Sequence, residues 1–382
     1  MFLEILILMF LSIYFLVGFS QIAIAKQMKK EAKNRVFKEK DASVSVIIPI
    51  RERMQTTYRN LESVCNQRHP NYEVIFVCES VHHPAYCVAK DLENRYPNTR
   101  AIVSGPHNPK RNIAKCHNLI FGVKHAKGEI LLFGDSDVNY PDNWIMKMTA
   151  PLGETVDKKK IDATTSPFFI EPESTFGKFI ANSISAVTFT TSLTKEEFKF
   201  PPYASGASIA IKRDLFRKLN IARIWERSYN DDLVLAKAVL DSGHHIYNQL
   251  DHLNHPNEAF SNFRQSKDKL IRWIVTISTF GHGNLKKHVP SMLFKNLQFQ
   301  MSLILGIFIF FGYSGILGLG IIAAGYIYSV IYRWKVGQII EEKNMISYYL
   351  LAPVSTTGMM LFYLYVRLCH RTFYWVDESY SV

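Results

Sequence analysis

The residues whose types and spacing could do chemistry in this chain are mostly acidic. Asp135-Ser136-Asp137 places two carboxylates one residue apart, directly after an apolar run ending in Leu132-Phe133-Gly134. Hard oxygen ligands so spaced can share Mg²⁺ or Mn²⁺, directly or through water, and such an ion neutralises a diphosphate leaving group. Alone, the string is an ordinary solvated turn; behind a buried strand it reads as functional. Asn230-Asp231-Asp232-Leu233 precedes a helical run that ends at Gly243. Acidic residues there are ordinary first-turn charges on a helix. Equally, one of them facing a cleft could take a proton from an attacking hydroxyl. His244, His245, His252 and His255 cluster without a partnering Cys, at spacings that match no structural zinc site, so strand and loop histidines are expected. There is no Walker loop and no GxGxxG.

The elements that must position these residues alternate between short apolar runs and helical stretches, the pattern of an α/β sheet. Strands are expected over 43–50, 72–78, 100–104 and 129–134, with helices over 57–67, 84–96 and 112–127. Ligands of open α/β sheets bind outside the carboxyl ends of the strands. Glu79 and the Asp135/Asp137 pair occupy such ends.

Composition narrows the class. The 382 residues are 48 % hydrophobic and 20 % charged, which excludes a disordered chain. Five cysteines are too few, and odd in number, for a disulfide scaffold. Residues 5–25 carry no charge, and Lys26, Lys29, Lys30, Lys33, Arg35, Lys38 and Lys40 follow them. A secretory signal would carry its basic residues in front, so a retained anchor is expected, with the chain beyond it in the cytosol. Residues 301–332 form a second uncharged run, too long for one upright span and interrupted by Gly312, Gly315, Gly318 and Gly320, so a hairpin of two spans is expected. Residues 345–366 supply another candidate span. The expected organisation is an anchor (1–25), a basic juxtamembrane linker (26–41), a cytosolic catalytic domain (42–280) and a membrane region of about three spans (281–382). The net charge of +12 sits partly beside spans and no recognition motif accompanies it, so no nucleic-acid partner is expected.

Together these features resemble the ceramide glucosyltransferase family, membrane glycosyltransferases of the GT-A fold, and are also similar to hopanoid-biosynthesis-associated glycosyltransferases. The resemblance covers nearly the whole chain. It implies an α/β GT-A domain with a mixed, mostly parallel sheet, flanked by N- and C-terminal transmembrane helices. Asp135-Ser136-Asp137 stands at the family's second acidic motif, which implies metal binding by Asp135 and Asp137. Asp232 stands at the third, which implies the general base. Lys269-Leu270-Ile271-Arg272-Trp273 matches the family's closing motif in Arg272 and Trp273, with Lys269 in place of Gln or Arg. Lys115 and Asn118 match a Lys-x-x-Asn-Leu element before the fourth strand, and Ser205-Gly206-Ala207-Ser208 an acceptor-side loop. Glu79 is the carboxylate nearest the first acidic motif, where a gap-free alignment places Ser80.

The activity implied is inverting transfer of one sugar from a UDP-sugar to the hydroxyl of a membrane lipid, ceramide or a hopanoid-like lipid, with Mn²⁺ or Mg²⁺. Phe176, Phe179, Ile180, Ile184 and Val187 recur at helical spacing, as an interfacial helix or a packed one would. The alternatives are a processive polysaccharide synthase, a polyprenyl-phosphate glycosyltransferase, and a non-catalytic membrane protein that binds nucleotides or lipids.

Overall fold

The structure, a computed structural model, describes residues 2–50, 56–167, 177–184, 204–250, 263–280, 298–341, 346–370, 372–375 and 378–381. In chain order its strands are β1 (Val44–Pro49), β2 (Tyr72–Cys78), β3 (Thr99–Val103), β4 (Ile130–Gly134), β5 (Thr155–Val156), β6 (Lys159–Lys160), β7 (Ala163–Thr165), β8 (Ser208–Lys212), β9 (Ile246–Asn248), β10 (Thr372–Trp375) and β11 (Glu378–Ser381). Seven of them make one sheet in the order β3-β2-β1-β4-β8-β7-β9. Its pairs are parallel except where β8 meets β4 and β7. This is the α/β class with the mixed, mostly parallel sheet that the sequence implied.

The strands are mostly apolar because both faces of the sheet are covered. All six residues of β1 are buried. Ile47, Ile75, Val77, Leu131, Phe133, Ile209 and Ile211 point into one layer, with the helices Ala114–His125 and Asp232–Asp241. Val46, Ile48, Val74, Phe76, Leu132 and Ala210 point into the other, against Thr57–Cys65, Tyr86–Arg95 and Trp144–Thr149. Each aliphatic side chain so buried contributes about 1.5–3 kcal/mol. Register fixes the faces: Val46 lies opposite Val74 on one side and Leu132 on the other, and Leu132 opposite Ala210.

The ends of the chain are helical. The first helix, Phe2–Asn34, carries the uncharged run and continues through the first basic residues, so 26–34 are helix rather than linker. Lys, Gln, Met, Glu and Ala are all good helix formers, and Gln27 bonds Glu31 one turn on. Lys29 binds the carbonyl of Ile339 and pairs with Glu341 at 2.9 Å, which places its cation at the negative end of the helix Gly315–Ile339. That helix and Gln298–Gly312 form a helical hairpin, with Ser314 capping the second member through Leu317 N–H. Among the described residues, Gly315–Ile339 is the helix long and apolar enough to cross a membrane, while the apolar stretch Phe299–Gly312 is shorter. Ile346–Leu350 and Ala352–Cys369 follow, and lead into the β10–β11 hairpin.

The short helix over 177–184 is packed rather than bare. Ile180, Ala181 and Ile184 are buried with Leu270, and Phe179, Trp273, Met359 and Phe362 pack on them. Phe176 and Val187 lie outside the described residues, as do His252 and His255.

Candidate active site

The sheet delivers a set of charged side chains to one edge. β4 ends at Gly134, where a side chain would meet Tyr140 Oη at 2.7 Å and Ile48 Cδ1 at 2.9 Å, so only glycine fits. The chain turns there into Asp135-Ser136-Asp137. The turn is pinned by Tyr140, whose hydroxyl accepts from Asp135 N–H at 2.8 Å and donates to the carbonyl of Ala207 at 2.6 Å. Because β8 is antiparallel to β4, the loop before it, Ser205-Gly206-Ala207, arrives at this same edge.

Lys115, from the first turn of Ala114–His125, bridges two carboxylates there. Its Nζ lies 2.7 Å from Asp135 Oδ1 and 2.9 Å from Asp231 Oδ2. The ammonium is largely buried, which alone would disfavour its charge. The carboxylates of Asp135, Asp231 and Asp232 overcome that and hold its pKa well above the ordinary lysine value. Asp232, the first residue of Asp232–Asp241, accepts from Gly206 N–H at 2.8 Å and from Leu233 N–H at 2.7 Å. Burial and the charge of Asp231 push its carboxyl up to about 6, against the opposing pull of Lys115 and these two N–H groups. Asp137 is also raised, first by burial and then by Asp135, with the cations of Lys269 and Lys115 working the other way. Gly206 is the hub of the arrangement: a Cβ there would lie 2.7 Å from Lys115 Nζ, 2.9 Å from Asp231 Oδ2 and 3.2 Å from Asp232 Oδ2.

A family model, Glycosyl transferase family 21, matches residues 9–382. The chain belongs to glycosyl transferase family 21. An uncharacterized glycosyltransferase of Rickettsia bellii (strain RML369-C) is 34% identical over 102 residues, which are 26% of this chain and 13% of that protein. Among solved structures, the mannosyltransferase PcManGT from Pyrobaculum calidifontis, in complex with GDP-Man and Mn²⁺, is 13% identical. The match covers 91% of this chain and 97% of that one, with a TM-score of 0.44. GalNAc-T7 with UDP, GalNAc and Mn²⁺ is 12% identical, over 68% of this chain and 58% of that one, with a TM-score of 0.42.

The family 21 chain thus gathers Lys115, Asp135, Asp232 and, through its influence on Asp137, Lys269 at one edge of the sheet. Lys269, Arg272 and Trp273 belong to the helix Phe263–Phe280; the Lys269 ammonium lies 5.6 Å from the Trp273 ring centroid. Arg272 follows Lys269 by three residues and so shares its helix face. Two expected site residues sit farther along the edge. Asn118 is 1 % exposed and ties β2 to β3, accepting from Ser104 Oγ at 2.7 Å and donating to Val77 O at 3.4 Å. Glu79, at the end of β2, accepts from the His107 ring at 2.6 Å and the His107 N–H at 3.2 Å. His244 and His245 instead bond Asp162 near the far edge of the sheet, and the described residues contain no group of three or more metal-ligand side chains.

Sequence reading left Asp231 only as an alternative to Asp232, and it missed Tyr140. The doubling of aspartate before Leu233 was the available signal for the first. Tyr140 had none, because a tyrosine after a turn is ordinary until its hydroxyl is seen to span β4 and the loop before β8.

Proposed function

We propose that this family 21 glycosyltransferase moves one sugar from a UDP-sugar to the hydroxyl of a membrane lipid, ceramide or a hopanoid-like lipid, by direct displacement with inversion. The observation that carries the reading is Asp232. It is a carboxylate fixed by two backbone N–H groups, beside a buried ammonium, with its pKa lifted towards neutrality. A base with a pKa near the working pH is the effective one, and a hydroxyl acceptor needs such a base.

The donor would lie along the same edge. Glu79 would meet the uracil or ribose, and Lys269 and Arg272 would face the diphosphate. Asp135 and Asp137 fit a divalent cation: they offer hard oxygens, and the charge of Asp137 is disfavoured by Asp135, a repulsion that a dication relieves. When bound, Mn²⁺ or Mg²⁺ would neutralise the charge that develops on the leaving diphosphate. Lys115 holds Asp135 and Asp231 in fixed positions and keeps Asp232 from being neutralised outright. Asp232 would take the proton from the acceptor oxygen as that oxygen attacks the anomeric carbon from the face opposite the diphosphate.

Two observations support a lipid acceptor. Phe263–Phe280, which carries Lys269 and Arg272, packs through Leu270 and Trp273 on the helix over 177–184, and Met359 and Phe362 of Ala352–Cys369 complete that cluster. The site is therefore joined to Ala352–Cys369, which itself packs on Gly315–Ile339, the helix long and apolar enough to cross a membrane. The basic residues after the first apolar run favour a catalytic domain on the cytosolic face, where nucleotide sugars are available.

The test uses the full-length chain in lipid with Mn²⁺, a set of UDP-sugars, and ceramide or a hopanoid alcohol. Mass spectrometry should find one added sugar per lipid and stoichiometric UDP. A ladder of products, or no UDP release with any acceptor, contradicts the proposal.

A further inference from the structure

The last strand of the chain returns to the sheet edge where the nucleoside of a donor would sit. β10 and β11 pair in register, Phe373 opposite Tyr380 and Trp375 opposite Glu378, and the hairpin packs against Phe263–Phe280. Tyr380 is 1 % exposed. Its hydroxyl lies 3.2 Å from His107 Nε2, and His107 Nδ1 lies 2.6 Å from Glu79 Oε1. The His107 side chain is 4 % exposed against 23 % for Glu79, so the ring is enclosed and the carboxylate is the open end of the chain of bonds.

Chemistry sets the direction of these bonds. An ionised carboxylate only accepts, so Nδ1 of His107 carries a proton towards Glu79. In the neutral ring Nε2 then has a lone pair, and the Tyr380 O–H donates to it; the tautomer is fixed from both ends. The same tyrosine ring meets Tyr229 edge-on at 5.6 Å, and the Tyr229 hydroxyl donates to the carbonyl of Lys110 at 3.1 Å. Tyr229 stands three residues before Asp232. Tyr380 therefore touches both the loop that bears His107 and the segment that leads into Asp232.

We infer that the β10–β11 hairpin is part of the donor-binding machinery, with Tyr380 a positioning residue that acts through His107 to orient Glu79 towards the donor nucleoside. The inference rests on the transferase reading above. It explains why a buried histidine is gripped from both ring nitrogens by residues 28 and 273 positions away in sequence. It also ties the nucleoside end of the site to the strand that follows the helix Ala352–Cys369.

Two variants cut the same bond from opposite sides. Tyr380→Phe keeps the ring and its contact with Tyr229 but loses the hydroxyl. His107→Asn keeps an amide N–H where Nδ1 stands, and so the bond to Glu79, but loses Nε2. Titration of the full-length purified protein with UDP should show each variant weakening the Kd by about 3- to 10-fold, the scale of one lost hydrogen bond. Turnover at saturating donor should stay within about twofold, which separates positioning of the donor from general damage. Combined with Glu79→Gln, Tyr380→Phe should add nothing further, since its effect runs through that carboxylate. Binding of UDP by both variants as tightly as wild type overturns the coupling, as does full additivity with Glu79→Gln. Wild-type protein that binds no UDP overturns the transferase reading itself, a distinct result.

Discussion

Replacing Gly206 by alanine tests the charge cluster without removing a charge. The added Cβ would lie 2.7 Å from Lys115 Nζ and 2.9 Å from Asp231 Oδ2, well inside ordinary contact, so both ends must shift. A retreat of the ammonium by about 0.7 Å stretches its pair with Asp135 from 2.7 Å to about 3.4 Å. With an effective dielectric constant of about 20, that weakens the attraction by about 1.3 kcal/mol. The pair with Asp231, now 2.9 Å, loses about 1 kcal/mol more if it opens by a similar amount. Parts of these losses offset one another, because the side chains are mobile at their ends. A net loss of about 1.5–2 kcal/mol corresponds to about 10- to 30-fold in kcat/KM if the cluster holds the reacting groups. The backbone should not object. Among the described glycines, those with left-handed φ are Gly105, Gly153 and Gly243, and Gly206 is not one of them. Alanine there even gains about 0.4–1 kcal/mol by restricting the unfolded chain. Gly206→Ala should therefore unfold within about 1.6 kcal/mol of wild type while transferring sugar at least tenfold more slowly. Thermal unfolding and sugar transfer by mass spectrometry, measured on one preparation, decide the matter. A Gly206→Ala protein with wild-type kcat/KM would show that Lys115, Asp231 and Asp232 need not be held as they are.

Asp232→Asn should keep UDP binding near wild type and cut transfer by about 10²-fold or more, the usual scale of general-base catalysis, whereas Arg272→Ala should weaken UDP binding. The Asp232 carboxyl, raised to about 6 by burial and by Asp231, is ionised only above that pH. Wild-type kcat should thus climb with pH through about 6 and then level, and a rate flat across that range speaks against Asp232 as the base. EDTA should abolish transfer and Mn²⁺ or Mg²⁺ restore it, with Asp135→Ala and Asp137→Ala unresponsive to the added ion; full activity of metal-stripped protein in EDTA contradicts this. Cys87 and Cys369 are exposed while Cys65, Cys78 and Cys116 are buried. In a Cys369→Ser variant, an impermeant maleimide outside intact cells should miss Cys87 and reach it only after permeabilisation; labelling of intact cells would reverse the assigned sidedness.

The strands were legible in the sequence because a sheet covered on both faces needs mostly apolar runs, and such runs are bounded by visible breakers. The expected range 72–78 coincides with β2 for this reason. Helix ends were less legible. The sequence predicts a helix over 112–127, but it spans Ala114–His125, because Asn112 is drawn off to the carbonyl of Trp225 and Ile113 N–H to that of Ser228. The basic residues after position 25 read as linker from their charge, whereas the helix propensity of Lys, Gln, Met, Glu and Ala carries the first helix through to Asn34. In the site, Asp135 and Asp137 stand out by position, at a strand end, whereas position leaves Asp231 and Asp232 as equal candidates at a helix start and only the family resemblance singles out Asp232. Bonds between distant segments leave no local pattern. Lys115 reaching Asp231, Tyr140 reaching Ala207 and Tyr380 reaching His107 all depend on β8 entering the sheet against the direction of its neighbours, or on the chain returning from its apolar helices.

The charge balance of the cleft bears on what it can bind. Among the described residues, Asp135, Asp137, Asp231, Asp232 and Glu79 bring carboxylates to one sheet edge, and Lys115 and Lys269 bring cations that act on them. Lys115 is committed to two of those carboxylates, at 2.7 and 2.9 Å, and a third also holds its proton in place. A nucleoside diphosphate entering such a place adds negative charge to an excess of it, and a partly buried excess is screened poorly by salt. Burial is the first cause of the raised pKa values of Asp137 and Asp232, and the same excess adds to it: each charge is further disfavoured by a neighbouring aspartate, Asp135 for the one and Asp231 for the other. Protonating Asp232 would relieve the strain, but it would remove the proposed base. On the proposed reading, a divalent cation at Asp135 and Asp137 would relieve it while leaving Asp232 to accept a proton. Lys115 stands between Asp135 and Asp231, and on the proposed reading it would keep the metal and the base apart. Its replacement by a neutral side chain would join the two carboxylate groups into one repelling set, which is why a buried lysine in the first turn of Ala114–His125 belongs to the site as much as the aspartates do.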